Sequence, residues 1–65
     1  MPEFKKGDNV KIRLDTTSPY RGRKGIINEE PTQDSYGYWY IVKFESKGFS
    51  PSYRFNEHDL EAIVN

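Results

Sequence analysis

The sequence predicts a small all-β domain: five short strands wrapped into a closed or nearly closed barrel. Three observations predict it. Apolar residues alternate with polar ones at period two in Val10-Lys11-Ile12-Arg13-Leu14 and again from Tyr38 to Glu45, the pattern of a strand with one buried face. Turn-forming residues separate these runs at short intervals. No stretch has the length and periodicity of an α-helix that could cover an open sheet, so closure is the economical way to protect strand edges.

Sixty-five residues make one domain, spanning 1–65. A chain this short buries only about 60% of its unfolded surface, so the core is thin. There is no cysteine, which excludes disulfide staples and thiolate metal sites. Five Tyr, four Phe and one Trp compensate by burying large areas from few positions.

Phe4 to Gly7 is a lead-in, with Phe4 free to pack on the barrel, and Gly7-Asp8 is a turn. Val10 to Leu14 is the first strand. Asp15-Thr16-Thr17-Ser18-Pro19 is a loop, because each residue favours turns and Pro19 biases Ser18 away from the helical region. Tyr20 to Lys24 continues it. Gly22 and Gly25 are expected to supply positive φ or a close backbone approach. Ile26-Ile27 opens the second strand, and Pro31 to Gly37 reads as a second, polar loop.

Tyr38 to Glu45 is the strongest strand. Tyr38, Tyr40, Val42 and Phe44 share one face; Trp39, Ile41, Lys43 and Glu45 share the other. Both faces begin apolar, so the strand is expected to be central and covered on both sides near its start. Ser46-Lys47-Gly48 is a tight connection. Phe49 to Phe55 is a shorter strand in which Pro51 marks an edge, an end or a bulge. Asn56 to Leu60 reads as one 3₁₀ turn capped by Asn56, with Asp59 completing a weak capping box. Glu61 to Val64 closes the fold as a fifth strand. A five-stranded OB-fold would need a longer chain and a helix between its third and fourth strands, which is missing here.

Phe4-x-x-Gly7-Asp8-x-Val10-x-Ile12 followed by Tyr20-Arg21-Gly22-x-x-Gly25-x-Ile27 resembles the KOW motif of SH3-like barrels, found in ribosomal proteins and transcription elongation factors. A second resemblance spans more of the chain. Lys11-Ile12-Arg13, Ser18-Pro19-Tyr20, Gly25-Ile26-Ile27, Tyr40 to Phe44 and Phe55 to Glu61 are similar to the small SH3-like electron-transport accessory proteins. Those include the E subunit of photosystem I and the variable chain of ferredoxin–thioredoxin reductase. Both resemblances imply a five-stranded SH3-like barrel with a short 3₁₀ turn before the last strand, in a protein that docks to something larger.

The residues offer little for catalysis. His58 is the only histidine, so neither a Cys–His pair nor a two-histidine metal site can be assembled. Glu29 and Glu30 are adjacent, and adjacent strand residues point to opposite faces. Gly22-Arg23-Lys24-Gly25 lacks the spacing and following Ser or Thr of a phosphate-binding P-loop. No enzyme activity, metal, cofactor or small-molecule substrate is expected. An Ala-Leu-Tyr-Asp-Tyr-like stretch and an acidic loop, which would read Pro-rich peptides, are also missing.

Binding is the better expectation. Net charge is zero, but residues 1–27 carry seven cations against three acids and residues 28–65 three cations against seven acids. Lys11, Arg13, Arg21, Arg23 and Lys24 could form one patch that meets the phosphates of RNA or DNA, with Tyr20 and Trp39 beside it as aromatic contacts. The alternative is that Arg21 and Arg23 pair with Glu29, Glu30 or Asp34 and the charges neutralise one another. A protein-docking accessory subunit of a larger complex is the second functional expectation. No apolar run approaches the roughly 20 residues of a membrane span, and the N-terminus lacks a signal-peptide core. A soluble, cytoplasmic chain is therefore expected.

Overall fold

A computed structural model describes residues 2–44 and 48–63. They form one antiparallel sheet with a single 3₁₀ turn and no α-helix. The strands are β1 (Asn9–Ile12), β2 (Lys24–Ile27), β3 (Thr32–Asp34), β4 (Gly37–Lys43), β5 (Ser52–Asn56) and β6 (Leu60–Ala62), with the 3₁₀ turn η1 (Glu57–Asp59) before β6. No helix among these residues is long and apolar enough to cross a membrane.

Six strands stand where five were expected. The addition is β3, inside the polar stretch read as a loop. Thr32 pairs with Trp39, Gln33 with Tyr38 and Asp34 with Gly37, leaving Ser35-Tyr36 as a two-residue turn. The Asp34 carboxylate accepts the Tyr36 N–H at 2.8 Å, and Gly37 adopts φ +114°, a region side chains disfavour. All three residues of β3 are exposed, so no hydrophobic alternation marks the strand.

β4 is the central strand. Trp39 pairs with both Thr32 and Asn56, and Val42 with both Ile27 and Tyr53. Thus β5 lies along one edge of β4, while β3 and β2 share the other. β1 follows β2, and β6 follows β1. The two outermost strands, β5 and β6, are consecutive in the chain and joined by three residues. The two faces of β4 are unequally covered, where cover on both sides was expected near its start: Tyr40, Val42 and, just beyond the strand, Phe44 are buried, whereas Trp39, Ile41 and Lys43 are half-buried. Glu45 to Lys47 and Val64, expected as a strand end with its connection and as the last strand's end, lie outside the described residues.

The core is Phe4, Val10, Ile12, Ile27, Tyr40, Val42, Phe44, Phe55 and Leu60. It contains the lead-in Phe4 and alternating residues of β1 and β4, but the first strand ends at Ile12 rather than Leu14, and Leu14, expected on the same face, is 67% exposed. The Tyr40 hydroxyl accepts the Phe4 N–H at 3.2 Å and donates to a Glu57 carboxylate oxygen at 3.1 Å. The Asn56 side chain caps η1 by accepting the His58 N–H at 3.0 Å. Pro51 precedes β5, and its carbonyl accepts the Phe44 N–H at 2.9 Å.

The two loop glycines divide the roles expected of them. Gly22 has φ +82°. Gly25 does not; there a Cβ would stand 2.6 Å from Val42 Cγ1 and 2.7 Å from the Lys43 carbonyl oxygen. Backbone cannot retreat as a flexible side chain can, so β2 would have to move off β4. Gly25→Ala is expected to destabilise the fold by about 1–3 kcal/mol, read as a lower urea midpoint at unchanged m-value. An unchanged midpoint would show that β2 is not held this close.

Candidate functional site

Residues 13–23 connect β1 to β2. The loop is closed at its base by Ile12 N–H to the Arg23 carbonyl (2.9 Å) and Gly22 N–H to the Ile12 carbonyl (2.7 Å). Inside it, the Ser18 hydroxyl accepts the Tyr20 N–H at 3.1 Å and the Ser18 carbonyl accepts the Arg21 N–H at 3.2 Å. These local bonds explain why Ser18-Pro19-Tyr20 forms a fixed turn.

The five cations of the expected patch do not act alike. Lys11 lies 3.8 Å from Glu61, which β6 places directly opposite it. Arg13 makes a two-point contact with Asp15, Nε to Oδ1 at 3.0 Å and Nη2 to Oδ2 at 2.8 Å. That hydrogen bond is the main reason the Arg13 guanidinium is raised and the Asp15 carboxyl lowered from their ordinary values. Arg21, Arg23 and Lys24 have no carboxylate partner within 4.0 Å among the described residues. Neutralisation by Glu29, Glu30 or Asp34 does not occur there; Asp34 instead meets Arg54 at 3.7 Å.

The three remaining cations point in different directions. Lys24 pairs with Lys11 across β1–β2, so it shares the outer face of the sheet with Lys11. Arg23 faces the other way, its guanidinium carbon 5.1 Å from the centre of the Phe44 ring. Arg21 is exposed at the loop tip and donates from Nη1 to the Ser18 carbonyl at 3.3 Å.

Tyr20 is a wall of the core. It stacks on Phe44 (5.5 Å, 18°) and on Tyr53 (4.5 Å, 28°) and meets Phe55 edge-on at 6.3 Å. The sequence groups Tyr53 with the other aromatic residues between Tyr36 and Phe55, as core or contact, and does not set it apart; it is 40% exposed. It shares the inner-face parity of Phe55, and nothing in the local pattern separates the two.

Trp39 is on the sheet's outer face but not beside the loop. Ile26 pairs with Lys43, four residues from Trp39, and Lys24 lies two residues further on the opposite side. The separation is roughly 20 Å at the rise of a strand. Trp39 donates its indole N–H to Asp34 at 2.8 Å and carries the Arg54 guanidinium at 4.3 Å over its ring. It lines a groove of about 380 Å³ with Glu29, Glu30, Thr32, Ile41 and Arg54. A second cavity, about 450 Å³, lies between the lead-in and β6 and includes Arg13 but none of the loop-end cations. Among the described residues, no three metal-ligating side chains converge.

No protein-family model, no curated protein and no solved structure matches the chain.

The Trp39–Asp34 contact can be read directly, because Trp39 is the only tryptophan. The Asp34 carboxyl is held below its ordinary value, first by the indole donor and then by the Tyr36 N–H. A carboxyl lowered on folding adds stability above its unfolded value of about 3.9 and loses it as pH falls through the lower folded value. Trp39 emission is expected to change in an acid titration with a midpoint below about 3.9, and the step should vanish in Asp34→Asn. A midpoint at or above that value would contradict the contact.

Proposed function

We propose that this chain is a noncatalytic binding module, a small SH3-like barrel of the KOW kind that holds a nucleic-acid backbone at the end of its β1–β2 loop. One observation carries the proposal. Arg21, Arg23 and Lys24 keep their charge free of carboxylates among the described residues, while Lys11 and Arg13 beside them do not. An arginine fork can grip a phosphate through two donors, and a lysine adds a point charge. The barrel reading is supported by the three-residue link between the outermost strands, which requires the sheet to curl until its edges approach there. A cytoplasmic setting goes with this reading.

Binding is then modest and salt-dependent, since only about three phosphates are neutralised. On single strands the log–log dependence of affinity on salt should have a slope of about −2. Arg21→Ala with Arg23→Ala should flatten it to about −0.7. NMR titration with short oligonucleotides should move amides in residues 20–26; no movement there would defeat the proposal.

A second reading, a protein-docking accessory subunit, is favoured by the sheet's outer face. Ile26 is 37% exposed, and register places it beside Lys43, two residues from half-buried Ile41, which Arg54 of β5 flanks on the other side. Such a face suits an acidic protein surface with an apolar centre. Under this reading oligonucleotides leave residues 20–26 unmoved.

A further inference from the structure

We propose that the nucleic acid taken at this loop end is single-stranded, with one base stacked on Tyr53. The inference rests on the backbone-binding reading and goes beyond it by naming the form of the ligand. Register gives Tyr53 the parity of the buried face, since it pairs with Val42. Val42 is 0% exposed and Phe55, two residues along, 6%, yet Tyr53 is 40% exposed. It stands at the open end of the core, where the β1–β2 loop arrives.

The ring is held from behind. Tyr20 covers one of its faces at 4.5 Å and is itself backed by buried Phe44 at 5.5 Å. A fixed, partly exposed ring loses little freedom when a base settles on it. The cation is close by. Phe44 lies 6.2 Å from the Tyr53 ring centre and 5.1 Å from the Arg23 guanidinium, which bounds their separation at about 11 Å. One or two nucleotides span that distance, so a phosphate at Arg23 and a base at Tyr53 can belong to the same short stretch of strand.

Only an unpaired strand can use both features. In a duplex each base face is covered by its stacked neighbours and only edges are presented, whereas a single strand offers faces to an aromatic ring. Every base has such a face, so contact at Tyr53 is tolerant of sequence.

The test is fluorescence anisotropy on the full chain. The probes are labelled dT and rU strands of about eight nucleotides, a duplex of matched phosphate count, and inorganic polyphosphate. Single strands should bind about tenfold tighter than the duplex, and Tyr53→Leu should weaken them by about tenfold while leaving polyphosphate binding unchanged. Tyr53→Phe should retain most of the affinity. Polyphosphate binding by Tyr53→Leu is also the control for its folding. Should that variant not fold, the Tyr53 ring protons of the unaltered chain supply the reading: they should move upfield with the dT strand and not with polyphosphate. Equal or tighter duplex binding, a Tyr53→Leu chain that holds single strands as well as the original, or an unmoved ring signal would each overturn the proposal while leaving backbone binding intact. If Arg21→Ala with Arg23→Ala binds polyphosphate undiminished, or if no probe binds at all, the parent reading falls and this one with it.

Discussion

The Tyr40 hydroxyl is the polar group that the packing of this domain has to accommodate. The residue is 1% exposed, and a buried hydroxyl left without partners would cost about 1–3 kcal/mol, a large share of the stability of so short a chain. Its two partners come from distant stretches, the Phe4 N–H and the Glu57 carboxylate. The Phe4 ring meets the Tyr40 ring edge-on at 5.5 Å. One side chain therefore fixes the lead-in, the middle of β4 and the 3₁₀ turn relative to one another. Desolvation, above all, holds the phenol above its ordinary value, and the hydroxyl donates to Glu57. From η1 the chain passes directly into β6, and β6 pairs with β1, from which the basic loop springs.

The parts of the fold legible in the sequence are those with a hydrophobic period. Val10 and Ile12, and Tyr40, Val42 and Phe44, alternate and are buried. The Asn56 cap was legible because an amide before a turn has a local job. β3 was not, because all its residues are exposed and its pairing is fixed by an Asp34 turn and Gly37 rather than by burial. The unequal faces of β4 are not legible either: Trp39 and Ile41 look like core residues in isolation, yet both are only half-buried, with the Arg54 guanidinium rather than a second apolar layer over Trp39.

The candidate site was legible as a composition and not as an arrangement. A loop rich in Arg and Lys is visible in any listing of Ser18 to Ile27. That Glu61 neutralises Lys11 depends on β1–β6 pairing across some fifty residues, and no local pattern encodes it. The same holds for Trp39, which register carries away from the loop, and for Tyr53, which register and the Tyr20 stack bring to it. Residue type was informative about chemistry, while long-range strand pairing decided which of those residues can act together.

The separation of unpartnered charge along β2 has an effect on how the molecule meets others. Arg21, Arg23 and Lys24 gather at its start, and Glu29 and Glu30, without a cationic partner within 4.0 Å among the described residues, follow its end. The two groups are roughly 15–20 Å apart, in a chain whose total charge is zero. Such a molecule has a dipole but no monopole. A charged partner exerts little net pull on it from afar, so encounters are not accelerated as they are for strongly charged proteins. It does exert a torque, turning one end toward itself before contact. A charged body nearby would therefore turn this molecule more than draw it in, and added salt would screen that torque.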